Sequence, residues 1–267
     1  MFRCDNPVRL ALMAVAFASL SFPNRFVAAA ENDDAEAATV ERYTGPPILL
    51  DEPETPPPAA LVDKQVNKDQ FANGKTRFER EIARYSDDRF EADGFYHEFY
   101  PSGAKFVEGQ FKKGNKDGTW TYYLENGTVQ RTVNYKNGQP DGGWEVHNAD
   151  GAVVARRSFK DGKRDGTWAI YDEAGKQQLR EEVYADGKPE GVWKVWYPSG
   201  QLMTEATLKA GTRDGVSRQW NEKGSLQAEV NFAKGKLDGT ATVWTAQGKK
   251  VVQHFQDGKP LKDDSQK

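Results

Sequence analysis

Residues 117–140 read DGTWTYYLENGTVQRTVNYKNGQP, and the same 24-residue phrase returns along most of the chain. An acid-Gly pair opens each unit: Asp93-Gly94, Asp117-Gly118, Asp141-Gly142, Asp165-Gly166, Glu190-Gly191, Asp214-Gly215 and Asp238-Gly239. Successive pairs are 24, 24, 24, 25, 24 and 24 residues apart. Self-similarity at a fixed period signals stacked supersecondary units, each burying its apolar face against the next.

Counting the acid as position one, position four is aromatic in five units (Tyr96, Trp120, Trp144, Trp168, Trp193) and is Ser217 and Ala241 in the last two. Position seven is aromatic or His in all seven: Phe99, Tyr123, His147, Tyr171, Trp196, Trp220 and Trp244. Position eleven is glycine, from Gly103 to Gly248, preceded by turn formers such as Pro-Ser, Glu-Asn or Ala-Asp. Glycine accepts the positive φ that tight hairpin loops require. The second half of each unit has period two: Leu226, Ala228, Val230 and Phe232 alternate with Gln227, Glu229 and Asn231. That is a strand with one buried face, and no helical period competes with it.

The fold class is therefore all-β, an elongated, twisted antiparallel meander of about fourteen strands, roughly 65 Å long at ~4.8 Å per strand. A four-residue loop around the position-eleven glycine would set position six opposite thirteen and four opposite fifteen. The position-four ring then shares a face with the apolar residues of the second strand, and position seven points to the other face. A one-residue insertion around Gln177 to Tyr184 leaves repeats four to seven open to local irregularity. Arg80 to Tyr85 resembles the second half of a unit, so residues 71–92 supply one capping strand, Thr76 to Tyr85. Lys249 and Lys250 place charge on the last strand, which discourages further pairing.

Before the array the chain changes character. Met1 to Ala30 reads as a bacterial-type signal peptide: Arg3 and Arg9, an apolar run from Leu10 to Phe22 too short for a bilayer that needs about twenty residues, then Ala28-Ala29-Ala30. The competing reading is an uncleaved anchor, against which Arg25 interrupts the run. Cleavage near Ala30 removes Cys4, the sole cysteine, and with it any disulfide, thiol nucleophile or cysteine metal site. The protein is expected to be exported: periplasmic, held in the cell envelope or secreted. Residues 31–70 hold Pro46, Pro47, Pro53 and Pro56-Pro57-Pro58 with few large apolar side chains, the composition of a disordered, semi-extended tether. A short tail, 263–267, follows the repeats of 93–262.

Residues 31–92 carry fifteen acidic side chains against eight basic, residues 93–262 twenty-two against twenty-five. Without a clustered basic stripe, nucleic acid is excluded as a partner. Catalysis has no constellation to rest on, because His97, His147 and His254 fall at different repeat positions and Glu181 and Glu182, adjacent on a strand, point to opposite faces. A metal ladder built on the repeated acids fails on distance: equivalent residues lie about 10 Å apart and calcium needs oxygens at about 2.3–2.6 Å. No metal and no cofactor is expected. The acid-Gly pair reads instead as a loop-closing device, the carboxylate accepting backbone N–H bonds.

The phrase Asp-Gly-x-Trp-x-x-Tyr-x-x-x-Gly, followed by aromatic-x-x-Gly, resembles the MORN-repeat variant found in YwqK-type antitoxin-family proteins, over residues 93–262. Glu190, Ser217 and Ala241 depart from it. The resemblance implies a β-hairpin sheet and a role in binding proteins or membrane lipids. On the residues themselves, Trp120, Trp144, Trp168 and Trp193 are structural. Phe99, Tyr123, His147, Tyr171, Trp196, Trp220 and Trp244 are either packing or a ligand platform. The leading expectation is a non-catalytic exported scaffold whose repeat face binds a protein. A binder of envelope polysaccharide or lipid headgroups comes next, then an immunity-like inhibitor of an exported toxin.

Overall fold

The structure, a computed structural model, describes residues 58–262 except residue 246. The expected signal peptide, the expected tether up to residue 57 and the tail 263–267 lie outside the described residues. Within them the chain is one antiparallel meander without helices. Its strands are β1 (Leu61–Gln70), β2 (Thr76–Tyr85), β3 (Phe90–Phe99), β4 (Lys105–Lys112), β5 (Asn115–Tyr123), β6 (Val129–Lys136), β7 (Gln139–His147), β8 (Val153–Lys160), β9 (Lys163–Arg164) and β10 (Gly166–Tyr171). They continue as β11 (Gln178–Ala185), β12 (Lys188–Pro189), β13 (Gly191–Trp196), β14 (Leu202–Lys209), β15 (Thr212–Trp220), β16 (Leu226–Ala233), β17 (Lys236–Trp244), β18 (Lys250–Gln256) and β19 (Lys259–Pro260). Breaks at Asp165 and Glu190 divide two of the repeat strands into β9 with β10 and β12 with β13, so the seven repeats supply fourteen strands.

Except in repeat four, whose loop keeps four residues, the loop inside each repeat is tighter than a four-residue closure. In the first six repeats it is followed by a bulge, whereas in the seventh Val243 faces Val251 and Ala241 faces Gln253 without one. In the second repeat the Leu124 N–H donates to the Thr128 carbonyl and the Gly127 N–H to the Leu124 carbonyl, which leaves three loop residues with Gly127 at positive φ. Tyr123 then faces Val129, but Tyr122 faces Arg131 and Trp120 faces Val133. Position six therefore meets fifteen and four meets seventeen. The expected register is displaced by two residues, one from the loop and one from the bulge at position fourteen. Because side chains alternate with period two, a shift of two preserves the faces. Repeat four absorbs its insertion in the loop Asp172 to Gln177, and its strands stay in phase, Ile170 facing Arg180 and Trp168 facing Glu182.

The link between repeats is a two-residue turn with both residues at positive φ, the type I′ geometry that matches strand twist. The first turn residue has φ of 48–51° in every repeat (Lys113, Asn137, Asp161, Asp186, Ala210, Lys234, Asp257) and glycine follows it. Here the repeated acid finds its use. Asp141 Oδ2 accepts the Asp161 N–H at 3.1 Å, and Asp93, Asp165, Glu190 and Asp238 do the same for the turns that close their own repeats. Next to the acid the strand bulges widely: Val133 faces Trp144 and Tyr135 faces Pro140, so Asn134 alone opposes Asp141, Gly142 and Gly143. The carbonyl opposite such a bulge is where three of the four position-four indoles donate, Trp120 Nε1 to Gln110 at 3.1 Å, Trp168 to Ser158 at 2.9 Å and Trp193 to Val183 at 3.0 Å, while Trp144 Nε1 is buried with no partner among the described residues.

A single sheet has no second layer to cover its apolar face, so the face covers itself. Rings from positions four and nineteen interlock across the strands, Tyr96–Phe111–Trp120–Tyr135 and then Trp144–Phe159–Trp168–Tyr184–Trp193, with centroids 5.0–6.3 Å apart. Long cationic side chains lie over them: Lys116 Nζ is 4.2 Å from the Trp120 ring, Arg131 4.1 Å from Tyr122 and Arg164 4.5 Å from Trp168. The charged heads themselves sit over the rings, as cation–π contacts do. Trp120 is left only 2 % exposed. In the last repeats the same face carries no indole: Ala228, Val230, Ala241 and Val243 pack with Phe232, Leu237 and Phe255.

Two expectations at the ends need correction. The tether does not extend to Gln70, since Leu61–Gln70 is strand β1, paired along its length with β2, and two strands precede the repeats where one was expected. Ion pairs carry much of this pairing (Lys68–Glu79 2.9 Å, Arg84–Asp63 3.0 Å, Arg77–Asp69 3.2 Å), while Leu61 and Val66 remain 53 % and 51 % exposed. At the other end Lys259-Pro260-Leu261 begins an eighth unit, with the Leu261 N–H donating to the His254 carbonyl at 2.8 Å. Gln253 Nε2 donates to that carbonyl at 3.1 Å, in the place that the next repeat's indole would take.

Candidate functional site

The face opposite the rings has two features. Along its middle, positions five and sixteen form a row of ion pairs across the strands. Glu145 pairs with Arg156 at 2.9 Å and Glu181 with Lys194 at 3.7 Å, and Arg218 bridges Glu205 at 2.9 Å and Glu229 at 2.6 Å. These register pairs put opposite charges directly across from one another. The carboxylates of Glu229 and Glu205 hold the Arg218 guanidinium above its usual pKa, and those of Glu145, with the Tyr171 hydroxyl, do so for Arg156. The row has little net sign, because each charge is answered by its neighbour.

Beside this row, at the end of the sheet where the position-eleven glycines turn the chain, lie the seven position-seven side chains, all half-buried. Each faces position thirteen of its own hairpin: Phe99 with Lys105, Tyr123 with Val129, His147 with Val153, Tyr171 with Gln178, Trp196 with Leu202, Trp220 with Leu226 and Trp244 with Lys250. No two of these seven rings contact one another, in contrast to the interlocked rings of the packed face.

The seven are not chemically alike. Tyr123 hydrogen-bonds Glu108 and is pushed up to about 12, first by burial and then by that carboxylate; Lys105 and Tyr123 in turn hold the Glu108 carboxyl below its usual range. Tyr171 lies within 3.5 Å of Arg156 Nη1. His147 has a buried Nδ1 with no partner among the described residues and its Nε2 3.9 Å from Glu145. Trp196, Trp220 and Trp244, with Leu202 and Leu226 between them, instead form an apolar strip. The backbone under it is braced by Tyr197, whose hydroxyl donates to the Trp220 carbonyl at 3.0 Å, as Tyr100 does to Tyr123 at 2.9 Å. The charge row and these position-eight tyrosines escape the sequence reading, because neither is legible until the bulge fixes which residues stand opposite.

Along the array the tryptophan changes face. Repeats two to four carry it at position four, on the packed face. Repeat five carries it at both positions, as Trp193 and Trp196. Repeats six and seven carry it only at position seven, with Ser217 and Ala241 at position four. The C-terminal packed face is built from Ala, Val, Leu and Phe side chains, so the outer indoles there are not needed to fill it.

The MORN repeat variant matches the chain at residues 116–137, 189–210 and 213–234. Each match starts one residue before an acid-Gly pair and ends on the first residue of the type I′ turn, so each covers one hairpin. Two of the three lie in the tryptophan-bearing C-terminal half, and they include the departures Glu190 and Ser217. No curated protein matches the chain. Among the described residues, no three of His, Cys, Asp or Glu come together where they could hold a metal ion.

Proposed function

We propose that this protein is a non-catalytic, exported repeat scaffold that captures a partner in the envelope or outside the cell, on the outer face of repeats five to seven. The observation that carries this reading is the tryptophan's change of face. Indoles are the commonest anchors of binding surfaces, where a large ring contributes contact area at small conformational cost. Three of them stand half-buried on the face that the core does not use, where the packed face does not require them. The amino-terminal segment, with its Arg3 and Arg9, apolar run and alanine triplet, supports export and a mature chain beginning at Glu31.

Retention of the mature protein on envelope fractions tests the assignment. Trp196→Ala, Trp220→Ala and Trp244→Ala should each weaken retention while leaving the denaturation midpoint nearly unchanged. Trp168→Ala should do the reverse. If the three outer variants bind like the parent, or lose stability in step with binding, the outer strip is not a binding surface.

A further inference from the structure

Resting on that outer-face reading, the spacing of the three indoles identifies the kind of partner. Trp196, Trp220 and Trp244 occupy the same place in consecutive hairpins, two strands apart, so neighbouring rings are separated by about 10 Å across the sheet. This is close to the advance of one disaccharide in an extended β-1,4-linked glycan. In such a chain each sugar is turned over relative to its neighbour, so the same apolar ring face points the same way only at every second residue. A set of indoles two strands apart presents one stacking surface per like-facing sugar. We propose that the outer strip of repeats five to seven binds a single β-1,4-linked polysaccharide chain lying across the strands, with Trp196, Trp220 and Trp244 stacking on alternate sugars and about five sugars covered.

The charge row supports the same occupant. Positions five and seven stand on one face of one strand, about 7 Å apart, which is roughly the width of a pyranose ring. A sugar stacked on Trp220 therefore has its rim over Arg218, whose guanidinium is fixed by Glu205 at 2.9 Å and Glu229 at 2.6 Å. These three side chains are each between 21 % and 38 % exposed, so donors and carboxylate lone pairs face outward beside the rings. Because the charges answer one another, the strip suits a neutral, hydroxyl-rich polymer better than a strongly charged one. Strand twist adds a constraint: neighbouring strands rotate by roughly 20–25°, so successive indoles turn by about 45°. Only a single chain, free to wind, can follow them. The flat surface of a crystalline polymer cannot meet all three.

Titration of the mature protein with β-1,4-linked N-acetylglucosamine and glucose oligosaccharides of two to six sugars, following tryptophan fluorescence, tests the proposal. Affinity should rise with length and level off at five or six sugars. Whichever series binds more tightly names the glycan as N-acetylated or plain glucan. The α-1,4-linked glucose hexamer, whose chain curves, should not bind, and soluble chains should be preferred to crystalline polymer. Trp220→Leu retains apolar packing but loses the ring face, so it should weaken hexasaccharide binding about tenfold with an unchanged denaturation midpoint. Trp220→Tyr should recover part of the loss, and Arg218→Met should weaken binding without abolishing it. If neither β-1,4 series binds while the three indoles are still required for retention on an envelope protein fraction or on lipid vesicles, the glycan assignment is wrong and the outer-face reading survives. If the indoles are required for no retention of any kind, both fall.

Discussion

Gly109→Ala should be among the most disruptive single-methyl additions the chain can suffer. Gly109 occupies position seventeen of the first repeat, where other repeats carry Val133, Ala206 or Val230. A Cβ built there would lie 2.4, 2.5 and 2.7 Å from Cδ2, Cε2 and Cγ of Trp120. Ordinary carbon contacts are about 3.5–4.0 Å, so the indole must retreat by roughly 1 Å or more. It has nowhere to go. Tyr96 stacks on it at 5.5 Å, Phe111 abuts its edge at 5.0 Å, Lys116 covers it at 4.2 Å, and its Nε1 is tied to the Gln110 carbonyl at 3.1 Å. Overpacking of this kind costs about 1–3 kcal/mol, approaching the ~3–5 kcal/mol of a deleted core aromatic if the ring is expelled. For a chain of this size that lowers the melting temperature by about 2–4 °C per kcal/mol. Because repeats contact mainly their neighbours, accelerated amide exchange should be confined to β3 to β6. Trp120→Leu makes room for the methyl, so the double variant should be more stable than the two single costs predict. A Gly109→Ala midpoint within about 0.5 kcal/mol of the parent, with the tryptophan near-ultraviolet signal intact, would refute the packing described for the N-terminal rings.

Gly143 provides the opposite case. It sits at position three, where other repeats carry Thr119, Thr167, Val192 or Thr240; its φ is negative, and a Cβ would meet only Asn134 Nδ2 at 3.6 Å. Gly143→Thr should therefore stabilise by about 0.5–1 kcal/mol in a denaturant melt, and a loss of stability would show that the backbone at the bulge needs glycine. At high pH the fold should fail through its tyrosines. Burial first, then Glu98 for Tyr96, Glu108 for Tyr123, Tyr122 for Tyr135 and Glu182 for Tyr184, pushes these phenols from 10 to about 12. A raised folded-state pKa means that the neutral phenol is what the fold stabilises. That contribution is whole below pH 10 and drains away as the pH rises through 12. Tyrosinate absorbance for these four rings should appear together with loss of circular dichroism, whereas titration of every ring near pH 10 with the signal retained would contradict their burial.

How far the molecule is legible in its sequence depends on which interactions repeat. The type I′ turn, the position-eleven glycine and the alternation of the second strand recur seven times, so strand number and the opposite facing of Trp120 and Tyr123 follow from pattern alone. The register does not, because the bulge after the loop bears no residue signature: it is occupied by Phe106, Gln130, Val154, Leu179, Met203 and Gln227 in the first six repeats and is absent from the seventh. A register two residues out leaves the faces right and the cross-strand partners wrong in the first six repeats, and it is the partners that define the Glu205–Arg218–Glu229 row. In the seventh repeat the expected register is one residue out and would place Val252 on the packed face, where Gln253 stands instead and Val252 is 42 % exposed. Strand β1 was hidden for another reason. Asp63, Lys64, Lys68 and Asp69 read as solvated tether until Arg84, Asp93, Glu79 and Arg77 are seen opposite them.

The same physics explains why outward-facing tryptophans collect at one end of the array. A one-layer sheet must spend its large rings and long cations on a single face, and in repeats two to four Trp120, Trp144 and Trp168 are committed there, two of them through indole bonds to the preceding strand. In the last two repeats that face packs Ala228 and Ala241, 2 % and 1 % exposed, against Val230, Val243, Phe232 and Phe255, and packing no longer requires an indole. The carbonyl bond that the indole would make is replaced at the terminus by Gln253, a side chain with no ring to bury. Once position four is relieved of tryptophan, each hairpin can carry one on the opposite face at a spacing fixed by the strands themselves. Trp244→Leu, which leaves the closely packed Ala241 and its neighbours untouched, should then keep the denaturation midpoint of the repeat and remove the third proposed stacking position, shortening the oligosaccharide at which affinity levels off.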